Sequence, residues 1–536
     1  MNILPDLNII IDRLIDKRPG YLLAQQIFTM SEKKGYNLWV SASSVDNLYY
    51  ILLNKAKKMN VDLNLVRIEF EAFIKGVKIF SVTGLSIREN LRETDLEDHI
   101  IYKNFKRIAP EGIVISKDGK FQKYTDVIAP EEFVKRFGDS TSPSIDRSTP
   151  KNIPLLDLQQ EYRYMLEDID DAILKSVAEA KYILGPQVKE LEDKIAEYLD
   201  VKHCIGASSG TEALILSLRA LAIKLKGQQY FDKTDEIITA PFTFTATGDA
   251  ILRAGATPVF VDIDPVTYNI DPAKIREYLT RHSSHIVGII PVHLYGQSCN
   301  MDEIMKIAKE YNLFVLEDVA QAFGGIWKGK KLGSIGTTGA FSFFPSKNLG
   351  GFGDGGMVST NDDELAGLMR MLLKHGGKDK YNVEHIGYNA RLDTLQAAIL
   401  LAKFKYIDGF NERRRKIAEI YNRELAGIDG LVLPTTYSLQ PNTNNCHVYH
   451  QYTIRVSNGK RDALQTHLKE NGISAMVYYP VPLHKMKVFD GRCKISGSLK
   501  GSENAVAEVL SLPMEPLQNG KETKQIIDSI RNHFGK

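Results

Sequence analysis

Past residue 153 the sequence alternates two kinds of segment, and this alternation limits what the chain can fold into more than any other feature. Short, nearly continuous apolar runs stand at Thr257-Pro-Val-Phe-Val-Asp262, His285-Ile-Val-Gly-Ile-Ile-Pro-Val292 and Leu313-Phe-Val-Leu316. Strands buried on both faces of a parallel sheet read this way. Between such runs, apolar residues recur at helical spacing. Residues 187–199 carry Val188, Leu191, Ile195 and Leu199, with Gly185-Pro186 just before them, where proline suits a first turn. Asn300-Met-Asp-Glu303 predicts a variant capping box for a helix up to Tyr311. The rhythm predicts an α/β domain with a mostly parallel sheet, whose ligands bind at the carboxyl ends of strands.

Residues 138–152 are rich in Ser, Thr, Pro and Asp and nearly devoid of large apolar side chains, which predicts a linker. Residues 1–137 then form a separate α/β unit, as a 536-residue chain is too long for one ordinary core. Lys and Arg number 68 against 66 Asp and Glu. Residues 1–150 hold 22 basic and 20 acidic side chains, leaving 46 of each for the rest. Neither part has the basic excess of a non-specific nucleic-acid binder. No run approaches the roughly 18 uncharged apolar residues of a membrane span. The opening MNILPDLNIIIDRLID carries acids within its apolar run, unlike a secretory signal. Cys204, Cys299, Cys446 and Cys493 form no C-x-x-C and fit reduced thiols. The expectation is a cytoplasmic protein with no membrane partner.

Four constellations follow strands. Ala207-Ser-Ser-Gly-Thr-Glu-Ala-Leu214 is a turn entering an apolar helix, where backbone N–H groups and a threonine hydroxyl can cradle a phosphate. In Pro241-Phe-Thr-Phe-Thr-Ala246 an aromatic ring can stack on a planar group. Leu316-Glu-Asp-Val-Ala-Gln321 ends a buried strand in a carboxylate, which is costly unless a cation meets it; a protonated pyridine nitrogen is such a cation. Phe341-Ser-Phe-Phe-Pro-Ser-Lys-Asn-Leu-Gly350 sets one lysine among apolar groups, where desolvation makes a nucleophilic amine for a Schiff base. Each alone also fits an ordinary capped helix, a core phenylalanine, a solvated loop carboxylate or a surface lysine. Together they are the kit for pyridoxal 5'-phosphate.

Many segments carry a family resemblance, among them IPLLDLQQEY, YILGPQVKELE, ASSGTEAL, TAPFTFTAT, VLEDVAQAFGG, FSFFPSKNLGGFGDGG, IGYNARLDTLQAAIL and VYYPVPLH. From about Ile153 to the C-terminus the chain resembles the DegT/DnrJ/StrS-type sugar-nucleotide aminotransferases, pyridoxal-phosphate enzymes of the aspartate-aminotransferase fold (fold type I). The resemblance implies a cofactor-binding large domain over 153–400 and a smaller C-terminal α/β domain over 401–536. It implies that Lys347 is the Schiff-base lysine and proton carrier, and that Asp318 keeps the pyridine nitrogen protonated. Gln321 then lies beside the ring oxygen, Phe244 stacks on the ring, and Gly210, Thr211 and Ser342 bind the phosphate. Asn389 matches a residue that reaches the phosphate from the neighbouring subunit of a homodimer. Tyr479 and His484 match contacts to the sugar nucleotide. A branch with histidine in place of the lysine dehydrates; Lys347 implies transamination. Glutamate is then the donor, a nucleotide-linked keto-sugar the acceptor, and lipopolysaccharide, capsule or glycoprotein glycans the destination. The segments KNLGGFGDGG, YNARLDTLQAAIL and YYPVPLH look most like members that aminate the 3-position, including those acting on UDP-linked 3-keto-N-acetylhexosamine uronates.

In the first part, Asp6 and Asn8 sit in the apolar LPDLNIIID, Asp95-Leu-Glu-Asp98 opens a helical stretch, and Ile113-Val-Ile-Ser-Lys-Asp118 ends a strand in an acid. Carboxylates gathered at strand ends can hold Mg²⁺ or Mn²⁺ for phosphodiester hydrolysis. With the close Val127-Ile-Ala-Pro-Glu-Glu-Phe133, residues 1–137 resemble a PIN domain, the ribonuclease fold of VapC-like toxins. The resemblance implies Asp6, Asp98 and Asp118 as metal ligands and RNA as a substrate. Two departures stand against it. Asn47 replaces the usual glutamate, with Asp46 about 100° away on a helix, and Pro-Asp-Leu-Asn replaces Leu-Asp-Thr-Asn at the first strand. Two readings stay open: a nuclease for which the larger part is a sensor or dimerisation module, or a PIN fold kept for partner contacts.

Overall fold

The computed structural model describes residues 152–379, 381–435 and 446–535, together with five short strands before them. The chain divides into two units, Met1–Thr149 and Pro150–Lys536. In the first, β1 (Asn2–Pro5), β2 (Asn37–Ser41), β3 (Lys78–Phe80), β4 (Ile113–Ile115) and β5 (Val127–Ile128) form one sheet of order β3-β2-β1-β4-β5. Every pairing in it is parallel. Asp6, Asp98 and Asp118 lie outside the described residues, as do Asn47 and nearly all of the predicted linker.

The second unit is built on eight strands in the order β17-β8-β7-β9-β10-β13-β14-β6. In chain order these are β6 (His203–Ala207), β7 (Glu236–Thr239), β8 (Thr257–Phe260), β9 (Ile286–Ile289) and β10 (Phe314–Asp318), then, past a small hairpin of β11 (Ile326–Trp327) and β12 (Lys330–Lys331), β13 (Thr338–Ser342) and β14 (Gly356–Thr360). A separate antiparallel sheet joins β15 (Leu431–Val432), β16 (Tyr452–Val456) and β18 (Val509–Leu512), and β17 (Lys494–Ile495) returns to the edge of the large sheet beside β8. Only the two pairings of β14 in the large sheet are antiparallel. β7 and β10 are buried along their whole length, β10 as its apolar run predicts. The predicted strand over 285–292 is shorter than its apolar run. Regular pairing stops at Ile289, and Pro291 has no N–H to extend the ladder.

Helices cover both faces of this sheet. The central one, Gly210–Lys226, is buried without a break from Ala213 to Ala222, so no polar stripe breaks its sequence. The predicted helix after Pro186 spans Pro186–Leu199. Asn300 caps Met301–Tyr311 by accepting from the Glu303 N–H at 3.3 Å, one half of the expected capping box. Residues after position 400 serve both sheets. Leu483, Phe489 and Leu499 pack on Phe260 of β8, and the Leu483 N–H donates to Pro241 O at 2.8 Å. This return path carries residues 478–479 past the carboxyl ends of the large-sheet strands. Among the described residues no helix is long and apolar enough to cross a membrane.

Candidate active site

A cavity of about 470 Å³ opens at the carboxyl ends of the parallel strands. Gly210, Thr211, Phe244, Asp318, Gln321, Ser342, Lys347 and Tyr479, all singled out in the sequence, line it together.

One end of the cavity is a helix N-terminus. β6 ends at Ala207 and the helix starts at Gly210, capped by Ser209, whose hydroxyl accepts from the Glu212 N–H at 3.1 Å. The N–H groups of Gly210 and Thr211 precede the helix's own ladder, and the helix dipole adds positive potential there, so the end suits an anion. Ser342, the last residue of β13, faces this turn so closely that a Cβ on residue 210 would lie 2.6 Å from its Cβ. Only glycine lets the two walls meet.

The opposite end carries the titrating groups. Asp318 ends β10 and is 5% exposed. Its Oδ2 accepts from the Thr247 hydroxyl at 2.9 Å and its Oδ1 from the Ala320 N–H at 3.2 Å. A carboxylate has about four acceptor positions, so it retains capacity toward the cavity. Burial raises its pKa, and Thr247, the backbone and Lys347 offset this only in part. Lys347 follows Pro345 in a tight turn closed by its own N–H to Phe344 O at 2.8 Å. Proline pre-sets the backbone for such a turn. Removal of its amine from water lowers the pKa to about 8, against the opposing pull of Asp318. Near neutral pH a useful fraction of this amine is therefore unprotonated and nucleophilic.

Gln321 is held by two bonds. Its Oε1 accepts from the Tyr295 N–H at 2.8 Å, so its amide nitrogen faces Tyr479, donating to the hydroxyl at 2.7 Å. Tyr295 reaches this place with a positive φ of 59°, a strained conformation for a side chain of its size. The rings of Phe244 and Tyr479 lie 6.1 Å apart at the mouth.

A cradle for an anion, an under-coordinated buried carboxylate and a desolvated lysine around one cavity fit pyridoxal phosphate, with its phosphate, pyridinium and aldehyde. Comparison with known proteins agrees: the DegT/DnrJ/EryC1/StrS aminotransferase family model matches residues 164–531. The chain belongs to this aminotransferase family. It is 45% identical over 383 residues to a pleiotropic regulatory protein of Geobacillus stearothermophilus, covering 72% of this chain and 99% of that one. It is 40% identical to the UDP-2-acetamido-2-deoxy-3-oxo-D-glucuronate aminotransferase of Pseudomonas aeruginosa, covering 71% of this chain and all of that one. Among solved structures it resembles S. venezuelae DesV in complex with a ketimine intermediate, with a TM-score of 0.67 and 36% identity over 72% of this chain and 99% of that one.

Two of the residues singled out in the sequence are not brought to the cavity of this aminotransferase by its own chain. Asn389 is bonded to the Arg391 guanidinium. His484 turns to Glu503, with Nε2 to Oε1 at 3.4 Å. Conversely, Thr243, Thr247, His450, Gln451 and Tyr478 line the cavity without having been singled out. Thr247 carries a signal, for it stands one helical turn after Thr243 in the segment that supplies Phe244. His450 and Gln451 carry none, because only the return of the chain past the sheet brings them there. Among the described residues no group of three His, Cys, Asp or Glu side chains is placed to hold a metal.

Proposed function

We propose that this aminotransferase moves an amino group from glutamate to a nucleotide-linked keto-sugar, at the sugar's 3-position. The observation that carries the reading is that Lys347 and Asp318 line one cavity together with the N-terminus of the helix Gly210–Lys226, which suits an anion. Pyridoxal phosphate, when bound, supplies the electron sink for the carbanion on the amino-bearing carbon. Asp318 holds a proton on the pyridine nitrogen through an acceptor position left free by Thr247 and Ala320. Lys347 Nζ, with its lowered pKa, takes and returns the proton at that carbon. Gln321 would lie beside the ring oxygen, Phe244 would stack on the ring, and Gly210, Thr211 and Ser342 would hold the phosphate. Asn389, outside its own chain's cavity, serves the phosphate of a partner subunit in a homodimer. Tyr479, beside Gln321, and His484, whose Nε2 lies 3.4 Å from Glu503 Oε1, would contact the sugar nucleotide. The likeness to the Pseudomonas UDP-2-acetamido-2-deoxy-3-oxo-D-glucuronate aminotransferase supports a 3-oxo-sugar uronate carried on UDP. The product would feed a surface glycan such as lipopolysaccharide, and the reaction would take place in the cytoplasm. A screen of keto-sugar nucleotides with glutamate, read by product mass, tests the reading. The expected result is one added amino group on a 3-keto substrate with release of 2-oxoglutarate. Uptake of cofactor without amination of any keto-sugar would overturn it.

A second reading concerns residues 1–137 alone. We infer a PIN-like unit from the all-parallel order β3-β2-β1-β4-β5. Asp6 directly follows β1 in sequence and Asp118 comes shortly after β4, its neighbour in the sheet. With Asp98 these would be the ligands of Mg²⁺ or Mn²⁺. RNA cleavage that is lost in Asp6→Asn combined with Asp98→Asn supports this reading. Cleavage unchanged in that variant rules out the proposed metal site.

A further inference from the structure

Asn269 is buried and spends its whole side chain on one turn of another segment. Its Oδ1 accepts from the Leu294 N–H at 3.0 Å, and its Nδ2 donates to Gln297 O at 3.1 Å and to Ser298 O at 2.9 Å. Carbonyls only accept, so this amide cannot be turned over, and both of its hydrogens are used. Between these anchors stands Tyr295, with its positive φ of 59°. A bulky side chain keeps such a backbone only where the surroundings over-determine it. The bonds from Asn269 to residue 294 on one side and to 297 and 298 on the other supply that constraint. Tyr295 in turn is tied to three residues of the cavity wall. Its N–H donates to Gln321 Oε1 at 2.8 Å, its carbonyl accepts from the Gln451 N–H at 3.3 Å, and its hydroxyl donates to Tyr478 O. Gln321, Gln451 and Tyr478 line the cavity, whereas Asn269 does not.

From this relay we infer that Asn269 is a positioning residue for Gln321, fixing the turn at 294–298 so that the Tyr295 N–H sets which end of the Gln321 amide faces the cavity. The inference rests on the reading above, in which Gln321 would lie beside the ring oxygen of the cofactor. The two ends of a glutamine amide have nearly the same shape and opposite hydrogen-bonding character, so a half-turn about the last bond exchanges an acceptor for a donor. The Tyr295 N–H prevents the exchange, because of the two ends only the oxygen can accept from it. Nε2 is thereby turned to the Tyr479 hydroxyl, to which it donates at 2.7 Å, and its second hydrogen remains for an acceptor in the cavity. The reversed amide would set its oxygen against the ring oxygen. Every link from Asn269 to Tyr479 is a hydrogen bond of the folded chain, and three of the residues involved come from segments far apart in sequence.

The test is a double-mutant cycle on full chains loaded with pyridoxal phosphate: wild type, Asn269→Ala, Gln321→Ala and the double variant. The first readout is the pH midpoint of the visible absorbance. A hydrogen bond donated to the ring oxygen favours the form in which that oxygen carries its negative charge unshared, which is the high-pH form, so loss of the donor raises the midpoint. Gln321→Ala is expected to raise it by roughly 0.5–1. Asn269→Ala should raise it in the same direction and by no more than that, and lower kcat about 10-fold through misplacement of the amide. In the Gln321→Ala background the Asn269 substitution should change neither readout. Asn269→Ser, whose hydroxyl can still accept from Leu294, is read in the same cycle and should show a smaller effect of the same sign. Wild-type midpoint and kcat in Asn269→Ala would overturn the inference, as would an Asn269 effect as large without Gln321 as with it. Failure of both Asn269 variants to fold would also overturn it, in favour of a role in the fold alone. A wild type that takes up no cofactor, or a Gln321→Ala midpoint equal to that of wild type, would instead overturn the reading of the site on which the inference rests.

Discussion

Glu317 and Asp318 are adjacent on β10, both buried, and point to opposite faces of the sheet. On one face Glu317 is saturated. It accepts from the N–H groups of Gly333, Ile335 and Gly336 at 2.7–2.9 Å and from His293 Nε2 at 3.1 Å. His293 is fixed as the donor because its Nδ1 accepts from the Cys299 N–H at 3.1 Å. On the other face Asp318 has two donors and an open cavity. The same chemical group is thus a structural tie on one side and an unfinished site on the other. A buried carboxylate with every acceptor position filled holds its own fold together, whereas one left short of donors marks where a ligand belongs.

Removing the charge on each side should give opposite results. Asp318→Asn is expected to cut kcat by about 10³-fold, through loss of charge stabilisation at the reacting centre, with no loss of melting temperature. An active Asp318→Asn would break the contrast. Glu317→Gln is expected to cost about 3 kcal/mol of stability, as breaking a buried charged network does, while activity per bound cofactor stays within a few-fold. Chemical denaturation alongside steady-state rates separates the two. Thr247→Val removes one of the two donors to Asp318. The loss of one hydrogen bond, about 1 kcal/mol, should weaken cofactor binding roughly 5-fold in a titration followed by absorbance.

The smallest effect is on pH. Burial raises the folded-state pKa of Asp318 above that of the unfolded chain. The folded apo-protein therefore binds a proton that the unfolded chain releases, and stability falls as pH rises through the window above the ordinary carboxylate range. Apo Asp318→Asn should lack this fall. A steeper fall in the variant would show that the charge on Asp318 is already compensated.

The same contrast marks what the sequence discloses. Strand ends are legible, because apolar runs stop at polar residues, and so Asp318, Gly210 and Lys347 stand out. Both members of the Glu317-Asp318 pair are equally visible as letters. Nothing in the letters says that Gly333, Ile335 and Gly336 fold back on Glu317, because hydrogen-bond donors from a loop leave no periodicity. His450 and Tyr478 are hidden for a related reason: they join the site only because the chain, after building the small sheet, returns past the large one. At His484 the motif and the local geometry point to different partners. Its motif points to the substrate, but the side chain is turned onto Glu503 of a later helix.

Borohydride trapping of the pyridoxal-phosphate-loaded protein, followed by peptide mass mapping, tests the central claim most directly. The account predicts a single cofactor adduct on the peptide containing Lys347, absent in Lys347→Ala. An adduct on any other lysine, or none at all in a protein that still transfers amino groups, would contradict it.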